Sequence, residues 1–119
     1  MIRRKTGSIV NVLSTAAYYA DRGTLTYGGS KAALLHSTKV LASELGAFGI
    51  RVNGVAPAIV DTEMGRQNDR RAVELSLQRS SIGGVIDPED VANAVCFLLS
   101  TEASSKITGQ VINIDRGLN

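Results

Sequence analysis

The sequence predicts an α/β fold of about three parallel strands with flanking helices, on three observations. Three short runs rich in β-branched residues, "GSIVNVLS" (7–14), "IRVNGVAP" (50–57) and "GQVINID" (109–115), are spread along the chain. The stretches between them carry helical spacing and helix-capping residues. The order is strand, helix, strand, flap, helix, strand, and right-handed crossovers lay such strands side by side in parallel. No repeat, low-complexity tract or linker divides the 119 residues. That length is one domain or part of one.

The first run is bounded by Gly7 and by Ser14 and Thr15, and reads as a buried strand. From about Tyr27 the spacing turns helical. Leu34, Leu41 and Leu45 fall on one stripe with Ala33 and Val40 beside it, and Gly46 and Gly49 supply the stop. The second run is a buried strand ended by Pro57. Residues 62–80, "TEMGRQNDRRAVELSLQRS", are polar, helical in part and without a strong apolar stripe, the pattern of a mobile surface flap. In "DPEDVANAVCFLLS", Asp87 caps, Pro88 suits the first helical position, and Glu89 and Asp90 favour the positive end of the dipole. Val91, Val95, Leu98 and Leu99 supply that helix's core face, and Cys96 is expected to be a small core residue.

Composition narrows the function classes. The chain is 44% apolar and 20% charged, as average globular proteins are. A net charge of +2 is too small to point to nucleic acid or an anionic membrane surface. One cysteine forms no internal disulfide and fits a reducing compartment. "MIRRK" is basic, but the following "IVNVL" is broken by Asn11 and too short for an export signal or membrane span. A soluble cytoplasmic protein without a metal site is expected.

The chemistry is concentrated in "TYGGSK" (26–31). Tyr27 and Lys31 stand four apart, so on a helix their Cβ atoms are about 5–6 Å apart on one face. Gly28, Gly29 and Ser30 leave that face open to a ligand. By itself the pair also suits a helix start with an exposed lysine and a half-buried tyrosine. Ser14 lies thirteen residues before Tyr27, at the end of the first strand, and strand ends in parallel sheets are where ligands bind.

Taken together, "GSIVNVLS", "YGGSK", "GIRVNGVAPAIVDTEM", "DPEDVANAVCFLLS" and "ITGQVINIDRG" resemble, in order and spacing, the short-chain dehydrogenases/reductases, including members of the 3-oxoacyl-ACP reductase type. The resemblance implies part of a Rossmann-type sheet and hydride transfer between NAD or NADP and a small-molecule carbonyl or secondary alcohol. It implies that Tyr27 is the general acid/base, that Lys31 lowers the phenol's pKa and bonds the nicotinamide ribose, and that Ser14 holds the reacting oxygen. It also implies cofactor contacts from Pro57, Val60 and Thr62, and a homo-oligomer assembled through the helix 27–45. A free phenol sits near pKa 10, about three units and roughly 4 kcal/mol from neutral-pH chemistry. A cation about 4 Å away is worth about that much at an effective dielectric near 20.

Other readings stand beside these. Ser14 also suits the polar end of a strand, and Thr62 the cap of the flap helix. His36 reads as a surface or interface residue, Arg70 and Arg71 as a solvated face, and Asp115 as structural. The chain departs from the family pattern at Ala58 and Arg116, where glycine is common, and at Ser81 and Gly84, where relatives often carry proline and arginine. No glycine-rich phosphate cradle is found. Residues 1–119 are therefore expected to be a partial domain, the catalytic C-terminal half, without the dinucleotide-binding half. The alternative is a truncated, non-catalytic module that associates with a full-length relative. The 119-residue chain alone is expected to bind NADH or NADPH weakly or not at all, because no helix N-terminus is arranged for the pyrophosphate. Calorimetric titration checks this, and a micromolar or tighter dissociation constant overturns it.

Overall fold

Three strands carry the fold: β1 (Gly7–Val12), β2 (Ile50–Pro57) and β3 (Val111–Ile114). The computed structural model describes residues 1–118, in which the strands form one parallel sheet in the order β1-β2-β3. Val12 lies opposite Val55, and Pro57 opposite Ile114. Around the sheet are α1 (Leu25–Gly46), α2 (Glu63–Arg66), α3 (Arg70–Gln78) and α4 (Pro88–Leu99), with 3-10 turns at Ile2–Arg4 and Thr15–Ala17. The second strand has the predicted bounds. The first stops at Val12, and the third keeps only Val111–Ile114. Among the described residues no helix is long and apolar enough to cross a membrane.

Side chains alternate across β2. Ile50 and Val52 pack with Ala42 of α1, flanked by Ile9, Leu41 and Leu45. Arg51 points the other way, its guanidinium donating to the carbonyls of Leu98 (2.9 Å) and Ser100 (3.1 Å) at the end of α4. Thus α1 covers one face and α4 the other. A cation on those last carbonyls also complements the negative end of the helix.

The buried line of α1 differs from the predicted leucine stripe. Gly28, Thr38 and Ala42 lie at its centre, Leu34, Leu41 and Leu45 are half-buried at its margins, and Ala33 and Val40 face out. The small residues let the helix lie close to the sheet. Thr38 is fully buried, and its hydroxyl donates to the Leu34 carbonyl (2.8 Å) while accepting from the Asn11 amide (2.9 Å). Buried Asn53 is satisfied in the same way, donating to the Ile107 carbonyl (2.9 Å) and accepting from the backbone N–H of Gln110 (3.0 Å). Buried polar groups persist in cores when partnered like this.

The start of α4 follows its sequence signals, with the Asp87 N–H donating to the Asp90 carboxylate at 2.9 Å and Pro88 leading the helix. Leu98 is fully buried, with Val91 and Val95 half-buried beside it. Two residues correct the expectation: Leu99 and Cys96 are both exposed. At about 100° per residue, Cys96 stands roughly 200° from Leu98 and so faces outward. The segment from 62 to 80 is also less featureless than its composition suggests. Val73 and Leu77 of α3 turn toward Ile59, Val60 and Val85 around a cavity of about 110 Å³.

The chain leaves a large area uncovered. Its accessible surface of 7782 Å² compares with roughly 6200 Å² for a compact monomer of this mass. The difference, roughly 1600 Å², is about twice the ~800 Å² that each partner contributes to a standard protein–protein interface. The radius of gyration, 15.4 Å, likewise exceeds the roughly 13.5 Å of a compact domain. Part of this area follows β1, which among the described residues pairs with β2 alone. A groove of about 640 Å³ lined by Met1, Ile2, Ile9, Leu45 and Ile50 runs beside it. Open strand edges and contiguous apolar area promote association. The 119-residue chain alone is expected to self-associate or aggregate in size-exclusion chromatography with light scattering; a monodisperse monomer with a cooperative melt overturns this.

Candidate active site

β1 brings the chain to the carboxyl edge of the sheet, and the Leu13 N–H continues its ladder to the Val55 carbonyl at 2.8 Å. Ser14 then turns the chain. Its hydroxyl oxygen accepts from the Ala16 N–H at 3.2 Å, capping the Thr15–Ala17 turn. This uses a lone pair and leaves the hydroxyl hydrogen for another partner. The turn packs on the start of α1 so closely that a Cβ on Gly28 would lie 2.8 Å from the Ala16 carbonyl oxygen. A Cβ on Gly29 would meet nothing within 4 Å. The small residues of "YGGSK" therefore serve two ends: Gly28 admits the backbone of the serine turn, and Gly29 leaves open space.

Lys31 donates from Nζ to the Val12 carbonyl at 3.0 Å and stands 5.7 Å from the centroid of the Tyr27 ring. That places a cation over an aromatic face within the range of a cation–π contact. One of three ammonium hydrogens is committed, and two are not. Tyr27 is 49% exposed, and its hydroxyl makes no hydrogen bond among the described residues. Val12 and Ser14 are two residues apart, at most about 7 Å along the chain, so Ser14, Tyr27 and Lys31 gather at the carboxyl end of β1. The other tyrosines are placed differently. Tyr19 donates its hydroxyl to the Leu118 carbonyl at 2.8 Å, and partial burial pushes the Tyr18 phenol above its ordinary pKa.

The neighbouring end of β2 supplies the second part. Pro57 is buried, and the Ala58 N–H bonds the Ile114 carbonyl at 3.0 Å. Val60 bridges to Ile86, and its carbonyl accepts from the Thr62 N–H at 2.8 Å. The Thr62 hydroxyl oxygen accepts from the Gly65 N–H at 3.0 Å, so here Thr62 caps α2. Sequence reasoning missed Gly65, where a Cβ would run into the Val60 carbonyl oxygen. A glycine one turn after a capping threonine was its only signal. His36 is exposed, and the Asp115 carboxylate accepts from the Gly117 N–H at 3.0 Å. Among the described residues no cluster of three or more His, Cys, Asp or Glu could hold a metal.

The family model described as enoyl-(acyl carrier protein) reductase matches residues 1–119. The chain belongs to the short-chain dehydrogenase/reductase family. It is 45% identical over 118 residues to the 3-oxoacyl-[acyl-carrier-protein] reductase FabG of Thermotoga maritima, covering 99% of this chain and 48% of that protein. Among solved short-chain dehydrogenases/reductases it resembles a 7 alpha-hydroxysteroid dehydrogenase complexed with NADH and 7-oxo glycochenodeoxycholic acid. That match has a TM-score of 0.94 and 33% identity, over 99% of this chain and 46% of the other. A 3-oxoacyl-[acyl-carrier protein] reductase from Brucella melitensis with bound NAD matches at a TM-score of 0.88 and 30% identity, over 99% and 43%. The chain thus spans about half the length of the relatives it matches.

The two glycines of the Tyr27–Lys31 turn give a paired test. Replacing a helix glycine by alanine gains about 1 kcal/mol of propensity, which Gly29→Ala should realise. Gly28→Ala should instead lose about 1–3 kcal/mol, because the clash with backbone outweighs that gain. Denaturant melts of both variants read the signs, and equal signs overturn the packing described here.

Proposed function

We propose that these residues are the catalytic half of an NAD(P)-dependent oxidoreductase that interconverts a carbonyl and a secondary alcohol, with Tyr27 as general acid/base. The observation that carries this reading is the Lys31 ammonium, fixed on the Val12 carbonyl and lying over the Tyr27 ring. When bound, a nicotinamide cofactor supplies or accepts the hydride. In support of its nicotinamide–ribose end, Lys31 has two N–H groups uncommitted among the described residues, and Pro57 ends the adjacent strand, with Val60 and Thr62 in the segment that follows. Carboxyl edges of parallel strands are the usual place for such ligands.

In the direction of reduction, the Tyr27 hydroxyl gives its proton to the carbonyl oxygen; in oxidation, the phenolate takes the proton of the alcohol. Lys31 holds its ammonium over that tyrosine ring. Ser14 donates its free hydroxyl hydrogen to the reacting oxygen while the Ala16 N–H holds its own oxygen in place. A 3-oxoacyl thioester is the first substrate class to try, since relatives bear that activity in their names. The reading includes a homo-oligomer formed through the outer face of α1, where Val40 is exposed, and a reducing cytoplasmic setting suited to a lone, exposed Cys96.

The open edge of β1 and its apolar groove favour a second reading, a non-catalytic module that associates with a full-length relative. Turnover separates the two. In a chimaera where residues 1–119 replace their matched segment in the Thermotoga maritima reductase, Tyr27→Phe should abolish turnover without altering the melt. Ser14→Ala should cost roughly 10²–10³ in kcat, the scale of losing one transition-state hydrogen-bond donor. A folded chimaera that binds NADPH without turnover, or an active tyrosine variant, refutes the catalytic reading.

A further inference from the structure

The turn after β3 binds two separated parts of the candidate site. Tyr19, between Ser14 and Tyr27, donates its hydroxyl to the Leu118 carbonyl at 2.8 Å. The Ile82 N–H donates to the Arg116 carbonyl at 2.9 Å, and the Ser81 hydroxyl to the Gly117 carbonyl at 3.1 Å, so the same turn holds the exit of the 59–84 segment. The Arg116 guanidinium completes the link, donating to the Gly84 carbonyl and, at 3.3 Å, to the Ser76 hydroxyl of α3.

Arg116 breaks two local rules in doing this. Its φ is +60°, the left-handed region that favours glycine, and its buried Nε–H has no partner among the described residues. Residues held against local preference by surrounding contacts cluster at functional sites. Arg116 also borders the cavity beneath α3 together with Val60, whose place is at the proposed cofactor contact.

We propose that Arg116 is a positioning residue that latches the 59–84 segment over the carboxyl edge of the sheet, setting how substrate and nicotinamide are held. It touches neither reacting atom; it acts through Ser76, Gly84 and the start of that segment. The inference rests on the oxidoreductase reading, because its purpose is to fix Val60 and Thr62 for the proposed cofactor contact. A structural role alone predicts that Arg116→Gly lowers stability. A latch held under local strain predicts a different pattern: glycine relieves the strained φ, so the melting temperature holds or rises while binding worsens.

Two measurements test it. In the chimaera, Arg116→Gly should raise KM for an acetoacetyl thioester about tenfold, the scale of losing a hydrogen bond to a charged group, with kcat changed far less. Arg116→Lys should recover part of the loss. In the folded chimaera, active or not, the same substitution should speed tryptic cleavage at Arg66, Arg70, Arg71 and Arg79 several-fold, read by mass spectrometry. An unchanged KM in an active chimaera, or an unchanged cleavage rate, overturns the latch. A chimaera inactive before any substitution counts against the oxidoreductase reading instead, and the cleavage rate then decides the latch alone.

Discussion

β2 has strands on both edges and helices on both faces, and the candidate site depends on that position. Because β1 and β3 pair with it in parallel, all three strands open on one carboxyl edge. Ser14 and the carbonyl that holds Lys31 come from the end of β1, Pro57 from the end of β2, and the latching turn from the end of β3. Register fixes their relative height. A slip of one residue in β1 would move Asn11 to the α4 side and Ser8 to the α1 side, reversing every contact those residues make.

Polar contacts enforce that register more specifically than the aliphatic core. On the α1 side Asn11 finds the buried Thr38 hydroxyl. On the α4 side Ser8 donates to the Leu98 carbonyl at 3.1 Å, the same oxygen that receives Arg51. Apolar side chains tolerate small shifts because their attraction is non-directional. A buried donor displaced from its acceptor forfeits its partner and keeps its desolvation cost, about 1–3 kcal/mol. Each such pair thus penalises the neighbouring registers separately.

This also explains what could be read from the sequence. The order of strands and helices along the chain, the parallel sheet, the bounds of β2 and the start of α4 were legible, because each leaves a local signature: a β-branched run or a capping acid before proline. The inner face of α1 was not legible. Threonine at 38 and asparagine at 53 look solvent-facing in a linear pattern, and only partners far along the chain make their burial tolerable. Cys96 and Leu99 misled for a similar reason, since an apolar run does not state which of its members face the sheet. The inward turn of Val73 and Leu77 was hidden by the charged residues around them.

The distribution of hydrogen-bonding capacity separates scaffold from site. Inside the sheet layers, the side chains of Thr38, Asn53 and Ser104 are all engaged. At the carboxyl edge of β1, the Tyr27 hydroxyl, two Lys31 hydrogens and the Ser14 hydrogen are uncommitted among the described residues. Such groups cost little while water reaches them, and Tyr27 is half exposed. A ligand that excludes that water must supply acceptors for all of them. That demand favours a polar, oxygen-bearing ligand over an apolar one. The open groove beside β1 is mostly apolar, lined by Met1, Ile2, Ile9, Leu45 and Ile50 with Arg3 and Arg4 at it. Its apolar side chains suit a packing partner better than a polar ligand.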